Sequence, residues 1–172
     1  RCPELLAKFA DRYRTPRTAS VPPPARASEP VAPPPIEPLD ELRVVRLPSA
    51  SAIEQYVARE IHKALSEGVP AKDIAVISLG GQLKTDLGRA DRIGDITVRR
   101  ADSPDADQHV VADTFLRFKG LERPLILVAE LARGRQRYDV RMHVALTRAT
   151  VRCVVLATRE ELEADERLGA AS

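Results

Sequence analysis

Apolar positions in this chain form two kinds of run, one with a helical period and one continuous. Near the start, CPELLAKFADRYR places Leu5, Leu6, Phe9 and Tyr13 on one face of a helix. From residue 42 the predicted strands are LRVVRL, DIAVISL, DITVRRA, VVADTFLRF, PLILVAEL and VRCVVLA. The predicted helices among and after them are SAIEQYVAREIHKALSEG, YDVRMHVALTRA and REELEADERL. Strands that alternate with helices are typical of an α/β fold with a mostly parallel, doubly wound sheet flanked by helices.

Local signals define the first long helix and the strand after it. Ser51 and Glu54 form a predicted capping box, and Gly68 ends the helix. The buried stripe of this helix is predicted to consist of Ile53, Tyr56, Val57, Ile61, Ala64 and Leu65. The following run, DIAVISL, is apolar throughout, which is typical of a strand covered on both faces.

A proline-rich segment divides the chain. Thr15 to Pro38 contains nine of the 14 prolines and almost no large apolar side chains. Such a segment cannot form a helix or the interior of a sheet, so it is predicted to be an extended, disordered linker. A ligand for an SH3-type partner is the alternative, but the prolines show no regular spacing of anchor residues. The predicted organisation is a docking helix at 1–14, a linker at 15–40 and one folded domain at 41–168.

Composition limits the classes of function. The chain has 172 residues, 44% hydrophobic content and a formal net charge of +2, so any basic site must be local. Cys2 and Cys153 lie far apart, and the second is inside an apolar run, so neither a disulfide framework nor a zinc site is indicated. No apolar run has the length of a membrane span. We therefore expect a cytoplasmic protein that has no membrane partner.

Several catalytic classes lack their residues. The segment GGQLKT follows a strand and ends in Lys-Thr, but Leu83 stands where a phosphate-binding P-loop requires glycine. The three histidines, His62, His109 and His143, lie in different elements without clustered carboxylates or thiols, so no metal site is predicted. The nucleophile motif G-x-S-x-G is absent. We therefore expect no hydrolysis by this chain alone.

Two motifs remain that carry chemistry, TFLRFKGLE at 114–122 and HVALTRA at 143–149. Gly120 allows the backbone to approach a partner group, and Glu122 offers an acceptor for a sugar hydroxyl or an ammonium group. Arg148 lies on a helical pattern, and its planar guanidinium suits a phosphate oxygen. A surface arginine that favours a helix C-terminus is the structural alternative for Arg148.

The other polar residues of the first motif also have two readings. Arg117 and Lys119 fit a solvated turn as well as an anion site, since charged side chains are common in exposed turns. Thr114 fits an ordinary strand position, since β-branched residues are frequent in strands. Residue type alone leaves these alternatives open.

Together, the two motifs resemble those of the second, C-terminal RecA-like domain of superfamily 1 DNA helicases of the UvrD/Rep type. That family has a strand, a T-x-H-x-x-K-G-L-E loop, another strand, and then a helix that contains Y-V-A-x-T-R-A. The similarity extends to SASAIEQYVAREIHKALSEGVPAKDIAVISL and covers about residues 42–162. It implies a RecA-like sheet of the P-loop NTPase type that has no P-loop of its own.

The resemblance also implies roles for individual residues. ATP with Mg²⁺ would be held mainly by an N-terminal RecA-like domain of the same chain, which supplies the P-loop. Arg148 would be the arginine finger at the γ-phosphate. The other nucleotide-binding residues would be Gly120, Glu122, Thr147, which orients its neighbour, and Arg1, which matches a second phosphate-contacting arginine. The residues that contact single-stranded DNA would be Thr114, Arg117 and Lys119.

Two positions depart from the family pattern. Leu116 replaces a histidine of the first motif, and His143 replaces the tyrosine before V-A-x-T-R-A. The expected function is the C-terminal half of an ATP-dependent helicase or translocase, inactive as an isolated chain. One alternative is a degenerate, non-catalytic helicase-like module that binds protein or nucleic acid, which Leu116 favours. Another is an unrelated α/β domain that binds a small molecule, which requires the two motifs to be coincidental.

Overall fold

Five helices and seven strands lie within the residues that the computed structural model describes, which are 2–14, 41–80, 86–118, 120–134 and 136–171. The helices are α1 (Glu4–Asp11), α2 (Ile53–Ser66), α3 (Tyr138–Leu146), α4 (Arg159–Ala164) and α5 (Glu166–Gly169). The strands are β1 (Leu42–Leu47), β2 (Ile74–Ser78), β3 (Arg92–Ile93), β4 (Ile96–Arg99), β5 (Val110–Thr114), β6 (Arg123–Ala129) and β7 (Ala149–Thr158). The predicted linker, 15–40, lies outside the described residues.

The strands form one sheet in the order β1-β7-β6-β2-β5-β4-β3. Every neighbouring pair is parallel except β3 and β4, which pair antiparallel. The parallel strands therefore begin at one edge of the sheet, here called the amino edge, and end at the other, the carboxyl edge. The predicted α/β fold with a mostly parallel sheet is confirmed.

The sheet has a hydrophobic core on each face. In β2, Ile74 and Val76 pack on the face covered by α2, whereas Ala75 and Ile77 pack on the opposite face. That opposite face is covered by α1, α3, α4 and α5. Successive strand residues point to opposite faces, so a strand between two cores must be apolar at every position, as β2 is.

The N-terminal helix is part of the second core. Leu6 and Phe9 on α1 are buried, and α1 lies against α3. The imidazole Nδ1 of His143 on α3 is 3.0 Å from the carbonyl oxygen of Ala10, to which it donates. Leu5 is 47% exposed, so its predicted place on the buried face is wrong. The division of the chain at residues 14 and 40 stays a prediction.

A buried carboxylate joins the start of the chain to its end. Asp165, between α4 and α5, accepts hydrogen bonds from the hydroxyls of Tyr13 and Tyr138, each at 3.0 Å. It also accepts one at 3.0 Å from Nε of Arg167, whose guanidinium lies 3.9 Å from the centre of the Tyr13 ring. Burial acts to raise the pKa of Asp165, but the hydrogen bond and charge of Arg167, with the two tyrosine bonds, lower it overall.

The capping box predicted at the N-terminus of α2 is corrected. The chain enters α2 through a 3₁₀ turn at Ala50–Ala52, so Ser51 already lies inside a helical turn and cannot cap α2. Glu54 instead accepts a hydrogen bond from the backbone N–H of Gly94 at 3.1 Å. A capping box is found at α4, between Thr158 and Glu161.

Three predicted elements end earlier than expected. The strand predicted over VVADTFLRF ends at Thr114, where the N–H groups of Arg117 and Phe118 turn back to the Thr114 carbonyl. The helix predicted through Ala149 ends at Leu146, so Arg148 lies in the turn before β7 and not on the helix. The predicted closing helix is interrupted at Asp165, where its carboxylate caps α5.

We predict that replacing Asp165 with alanine lowers the free energy of unfolding by on the order of 3 kcal/mol at pH 7, because two tyrosine hydroxyls and a guanidinium lose a buried partner. Urea denaturation followed by circular dichroism measures this change. Asp139→Ala is the matched control, since Asp139 also binds Arg167 but is 46% exposed. It should cost less than about 1 kcal/mol.

The loss of stability caused by Asp165→Ala should depend on pH. The folded-state pKa of Asp165 lies below its unfolded value of about 3.9. The stabilisation is therefore present above about pH 4 and is lost as the pH falls through the folded-state pKa. The stability gap between wild type and Asp165→Ala should narrow below pH 4. Equal destabilisation by Asp165→Ala and Asp139→Ala would contradict the assignment.

Candidate functional site

Residues of the two motifs meet at the amino edge of the sheet. The backbone N–H of Arg123 donates to the carbonyl oxygen of Arg148 at 3.1 Å, and Arg123 is the register partner of Ala149. The loop that enters β6 and the turn that enters β7 therefore lie side by side. Gly120 and Glu122 are in that loop, so the residues predicted at a nucleotide adjoin the turn that carries Arg148.

The side chain of Arg148 is oriented by the end of α3. Its Nε donates to the carbonyl oxygen of Val144 at 3.2 Å, and Nη2 lies 3.3 Å from Oγ1 of Thr147. The Thr147 hydroxyl donates to the carbonyl oxygen of His143, at 2.9 Å. A cation at the C-terminal end of a helix is stabilised by the helix dipole. The guanidinium is half-buried, and the turn at Thr147 determines its direction.

Opposite charges gather around one cysteine at this edge. The sulfur of Cys2 lies 3.9 Å from the carbonyl oxygen of Leu146, the last residue of α3. The pKa of the Cys2 thiol is raised by burial first, with Glu122 raising it further and Arg148 lowering it. Both charges therefore act on the same half-buried group.

A second set of motif residues lies at the carboxyl edge, in a cleft of about 400 Å³. Its lining residues are Gly88, Arg89, Asp91, Arg100, Asp113, Thr114 and Arg117. Thr114 ends β5 and Arg100 follows β4, so the cleft lies across the ends of two neighbouring strands. The crevice at the carboxyl ends of strands is where open α/β sheets bind ligands. Three guanidinium groups on such a cleft favour an anionic ligand.

The floor of this cleft combines a carboxylate with an unsatisfied hydroxyl. Oδ2 of Asp113 accepts from the N–H of Ala101 at 3.0 Å, and Oδ1 accepts from the N–H of Thr114 at 2.7 Å. Burial raises the pKa of Asp113 against the effect of these backbone hydrogen bonds and of Arg100. The Oγ1 atom of Thr114 is buried and has no hydrogen-bond partner among the described residues. An uncompensated buried hydroxyl is costly, so a ligand oxygen at the floor would stabilise it.

The side chain of Glu130 fixes one wall of the cleft. Oε1 of Glu130, just after β6, accepts from the N–H groups of Asp86 and Leu87 at 2.8 and 3.3 Å. This contact holds the 3₁₀ turn Leu87–Arg89, and with it Arg89, against the carboxyl edge. Glu130 itself has φ of 50°, a left-handed conformation that non-glycine residues rarely adopt.

Helix α3 also reaches the carboxyl edge through Arg141. Its Nη1 donates to the carbonyl oxygen of Leu79, the residue after β2, at 2.8 Å. Its guanidinium carbon lies 5.0 Å from the centre of the Phe115 ring. Phe115 directly follows Thr114, and its N–H bonds the Ser78 carbonyl at 3.0 Å. Arg141 therefore connects α3 to the segments that leave β2 and β5.

The structure divides the predicted site residues between the two edges. Thr114 and Arg117 lie at the carboxyl edge, whereas the amino edge holds Gly120, Glu122, Thr147 and Arg148. Lys119 and Arg1 lie outside the described residues, so their predicted roles stay predictions. Leu116 is 58% exposed on the turn that leaves β5.

Sequence reasoning missed the cleft residues Arg89 and Arg100, and also Asp102, which pairs with Arg100 and Arg117. No motif or period marks them, since they belong to turns that approach Thr114 only in the folded sheet. Across the described residues, no group of three or more His, Cys, Asp or Glu side chains could hold a metal ion. The described helices include none that is both long and apolar enough to cross a membrane.

Comparison with known proteins gives a match among solved structures. No protein-family model and no curated protein matches this chain. A similar solved structure is the C-terminal domain of a possible DNA helicase from Lactobacillus plantarum WCFS1, at 18% sequence identity and a TM-score of 0.60. The alignment covers 92% of this chain and 86% of that one. The likeness shows a shared fold, a mostly parallel sheet flanked by helices.

We predict that Gly120→Ala lowers the free energy of unfolding by about 1 kcal/mol, because Gly120 has φ of +89°. A methyl group there would meet nothing within 4 Å, so the cost is due to the backbone alone. Gly134→Ala is the control, since that position also has open space and its φ is not in the left-handed range. It should be neutral or slightly stabilising by urea denaturation. Equal losses in both variants would contradict the expected strain.

Proposed function

We propose that this chain is the C-terminal RecA-like half of an ATP-dependent superfamily 1 DNA helicase or translocase of the UvrD/Rep type. The observation that carries the proposal is the meeting of Glu122 and Arg148 at the amino edge, joined by the hydrogen bond between Arg123 and Arg148. Two segments about 25 residues apart in sequence supply these residues. The shared fold with the possible helicase domain supports the same reading.

The amino-edge residues have the chemistry needed to complete an ATP site. The guanidinium of Arg148 is a permanent cation with a planar set of donors that matches phosphate oxygens. As an arginine finger it would stabilise charge that develops on the γ-phosphate oxygens during transfer. Glu122 is exposed and can accept from a ribose hydroxyl. ATP with Mg²⁺ would be held mainly by a partner RecA-like half that supplies the P-loop.

The cleft at the carboxyl edge would bind single-stranded DNA. Its arginines can neutralise backbone phosphates, which carry most of the affinity in nucleic-acid complexes. Thr114 would offer its unsatisfied hydroxyl to a phosphate oxygen at the floor, with Arg117 beside it. Lys119 would be a further DNA-contacting residue, as the sequence predicts. ATP-driven closure of the two RecA-like halves would then move the strand. A chain that binds DNA in this cleft but never supports ATP hydrolysis would instead be the degenerate binding module.

We predict that Arg148→Ala lowers kcat for ATP hydrolysis by about 10³-fold or more, because an arginine finger acts on the transition state. The measurement is steady-state ATPase activity with single-stranded DNA, in a protein that joins this chain to a P-loop half. ATP binding by the variant should stay close to wild type.

Arg152→Ala is the matched control for this experiment. Arg152 lies four residues further along, is 48% exposed and pairs with Glu67 at 3.8 Å, so its loss should change kcat less than twofold. Turnover that survives in Arg148→Ala would show that the finger assignment is wrong. No turnover in the intact protein under DNA titration would favour the degenerate module.

We predict that Thr114→Val weakens binding of a single-stranded oligonucleotide by about three- to tenfold, because one hydrogen bond to a phosphate is lost. The same change should leave the protein as stable as wild type or more stable by about 1 kcal/mol, since it removes a buried hydroxyl without a partner. Fluorescence anisotropy at fixed salt and urea denaturation measure the two effects. Unchanged DNA binding would remove Thr114 from the proposed interface.

A further inference from the structure

One carboxylate oxygen bridges two arginines on the rim of the cleft. Oδ2 of Asp102 lies 2.9 Å from Nη1 of Arg117 and 3.2 Å from Nη2 of Arg100. Both guanidinium groups therefore direct an N–H donor at a single anionic oxygen. Two arginines that converge on one oxygen also form the arrangement that binds a phosphate oxygen, because guanidinium donors fit carboxylate and phosphate alike.

The backbone around this contact is fixed more firmly than the carboxylate itself. The N–H of Ser103 bonds the carbonyl of Arg100 at 3.1 Å, which closes a turn around residue 102. The N–H of Ala101 is bound to the buried Asp113 at 3.0 Å. In contrast, the Asp102 side chain is 63% exposed. The carboxylate can therefore leave the arginines by rotation of one side chain, without movement of the turn.

Arg117 keeps a second contact when the carboxylate leaves. Nε of Arg117 lies 3.8 Å from Oδ1 of Asp113, a second carboxylate that is buried and fixed by two backbone hydrogen bonds. Arg117 is part of the turn that the Thr114 carbonyl closes. A phosphate that replaced Asp102 would therefore meet Arg117 next to the Thr114 floor. The remaining acidic residue on the lining is Asp91.

We infer that Arg100 and Arg117 form a clamp for one phosphate of a nucleic-acid strand, and that Asp102 occupies this clamp until the phosphate displaces it. The inference rests on the proposed function, since it specifies how the carboxyl-edge cleft binds single-stranded DNA. Asp102 keeps the two arginines together and neutralised in the free protein. Each binding event exchanges a carboxylate for a phosphate, so Asp102 lowers affinity and selects against weaker anions.

Asp102→Asn tests the exchange, because asparagine removes the competing charge with little change in shape. The expected result is an affinity for a single-stranded oligonucleotide that rises by roughly threefold or more at 50 mM salt. In wild type, the displaced Asp102 takes up a cation from solution, which offsets part of the cation release from DNA. The Asp102→Asn variant lacks this uptake, so its plot of log affinity against log salt should be steeper by about 0.7. Fluorescence anisotropy of the chain with a labelled oligonucleotide, repeated at several salt concentrations, gives both quantities.

Asp107→Asn is the matched control. It changes the net charge equally and lies in the same loop, but in the described contacts Arg100 and Arg117 pair with Asp102 and not with the exposed Asp107. Its effect on affinity should stay below about twofold. Equal gains from both variants would overturn the inference, because net charge would then explain the result. Urea denaturation should show that both variants fold like wild type.

Arginine variants in the Asp102→Asn background provide the second test. Arg100→Gln or Arg117→Gln should abolish the gain if the freed clamp causes it, and a gain that persists in both would overturn the inference. If wild type binds DNA and Thr114→Val weakens it, while Asp102→Asn matches Asp107→Asn, only the clamp is wrong. If neither wild type nor Asp102→Asn binds DNA at low salt, the clamp and the proposed DNA-binding cleft are both wrong.

Discussion

The parallel pairing of β4, β5, β6 and β7 within one sheet determines the edge at which each candidate residue lies. Parallel strands begin at one edge and end at the other, so a segment that enters a strand and a segment that leaves one are separated by a strand length. For the five residues of β5 this separation is roughly 17 Å. Glu122 and Arg148 precede their strands and therefore share the amino edge. Thr114 and Arg100 follow theirs and share the carboxyl edge. A single motif, TFLRFKGLE, thus supplies both sites because it is the connection between β5 and β6.

Elements whose signals are local were predictable from the sequence. Features that depend on contacts between distant residues were not. The apolar run of β2 was predictable because two cores demand apolar residues on both faces. The end of β5 at Thr114 was not, because the segment from Phe115 to Phe118 is apolar enough to extend a strand, whereas the N–H groups of Arg117 and Phe118 turn back to the Thr114 carbonyl. The capping box at Ser51 failed because a preceding 3₁₀ turn changes which residue can cap. Asp165 carried no signal, since Tyr13 lies 152 positions away.

The candidate site was likewise predictable only in part. Gly120, Glu122 and Arg148 were selected because their motifs resemble those of a family, and the sheet brings the segments that carry them side by side. Arg100, Asp102 and Arg89 were not found, because they become neighbours of Thr114 only through the order of β5, β4 and the turn held by Glu130. The net charge of +2 concealed this local accumulation of arginines. Electrostatic sites of this kind depend on topology, so composition cannot reveal them.

Helix α3 touches both edges of the sheet. Arg141 binds the carbonyl of Leu79 at the carboxyl edge, and Arg148 follows the last turn of the same helix at the amino edge. Helix α3 has nine residues, which corresponds to about 14 Å along its axis. Because Arg148 follows this helix closely, a displacement of α3 along its axis would shift Arg141 and Arg148 together. If an anion bound at one edge favoured such a displacement, linkage would require the effect on binding to be equal in both directions.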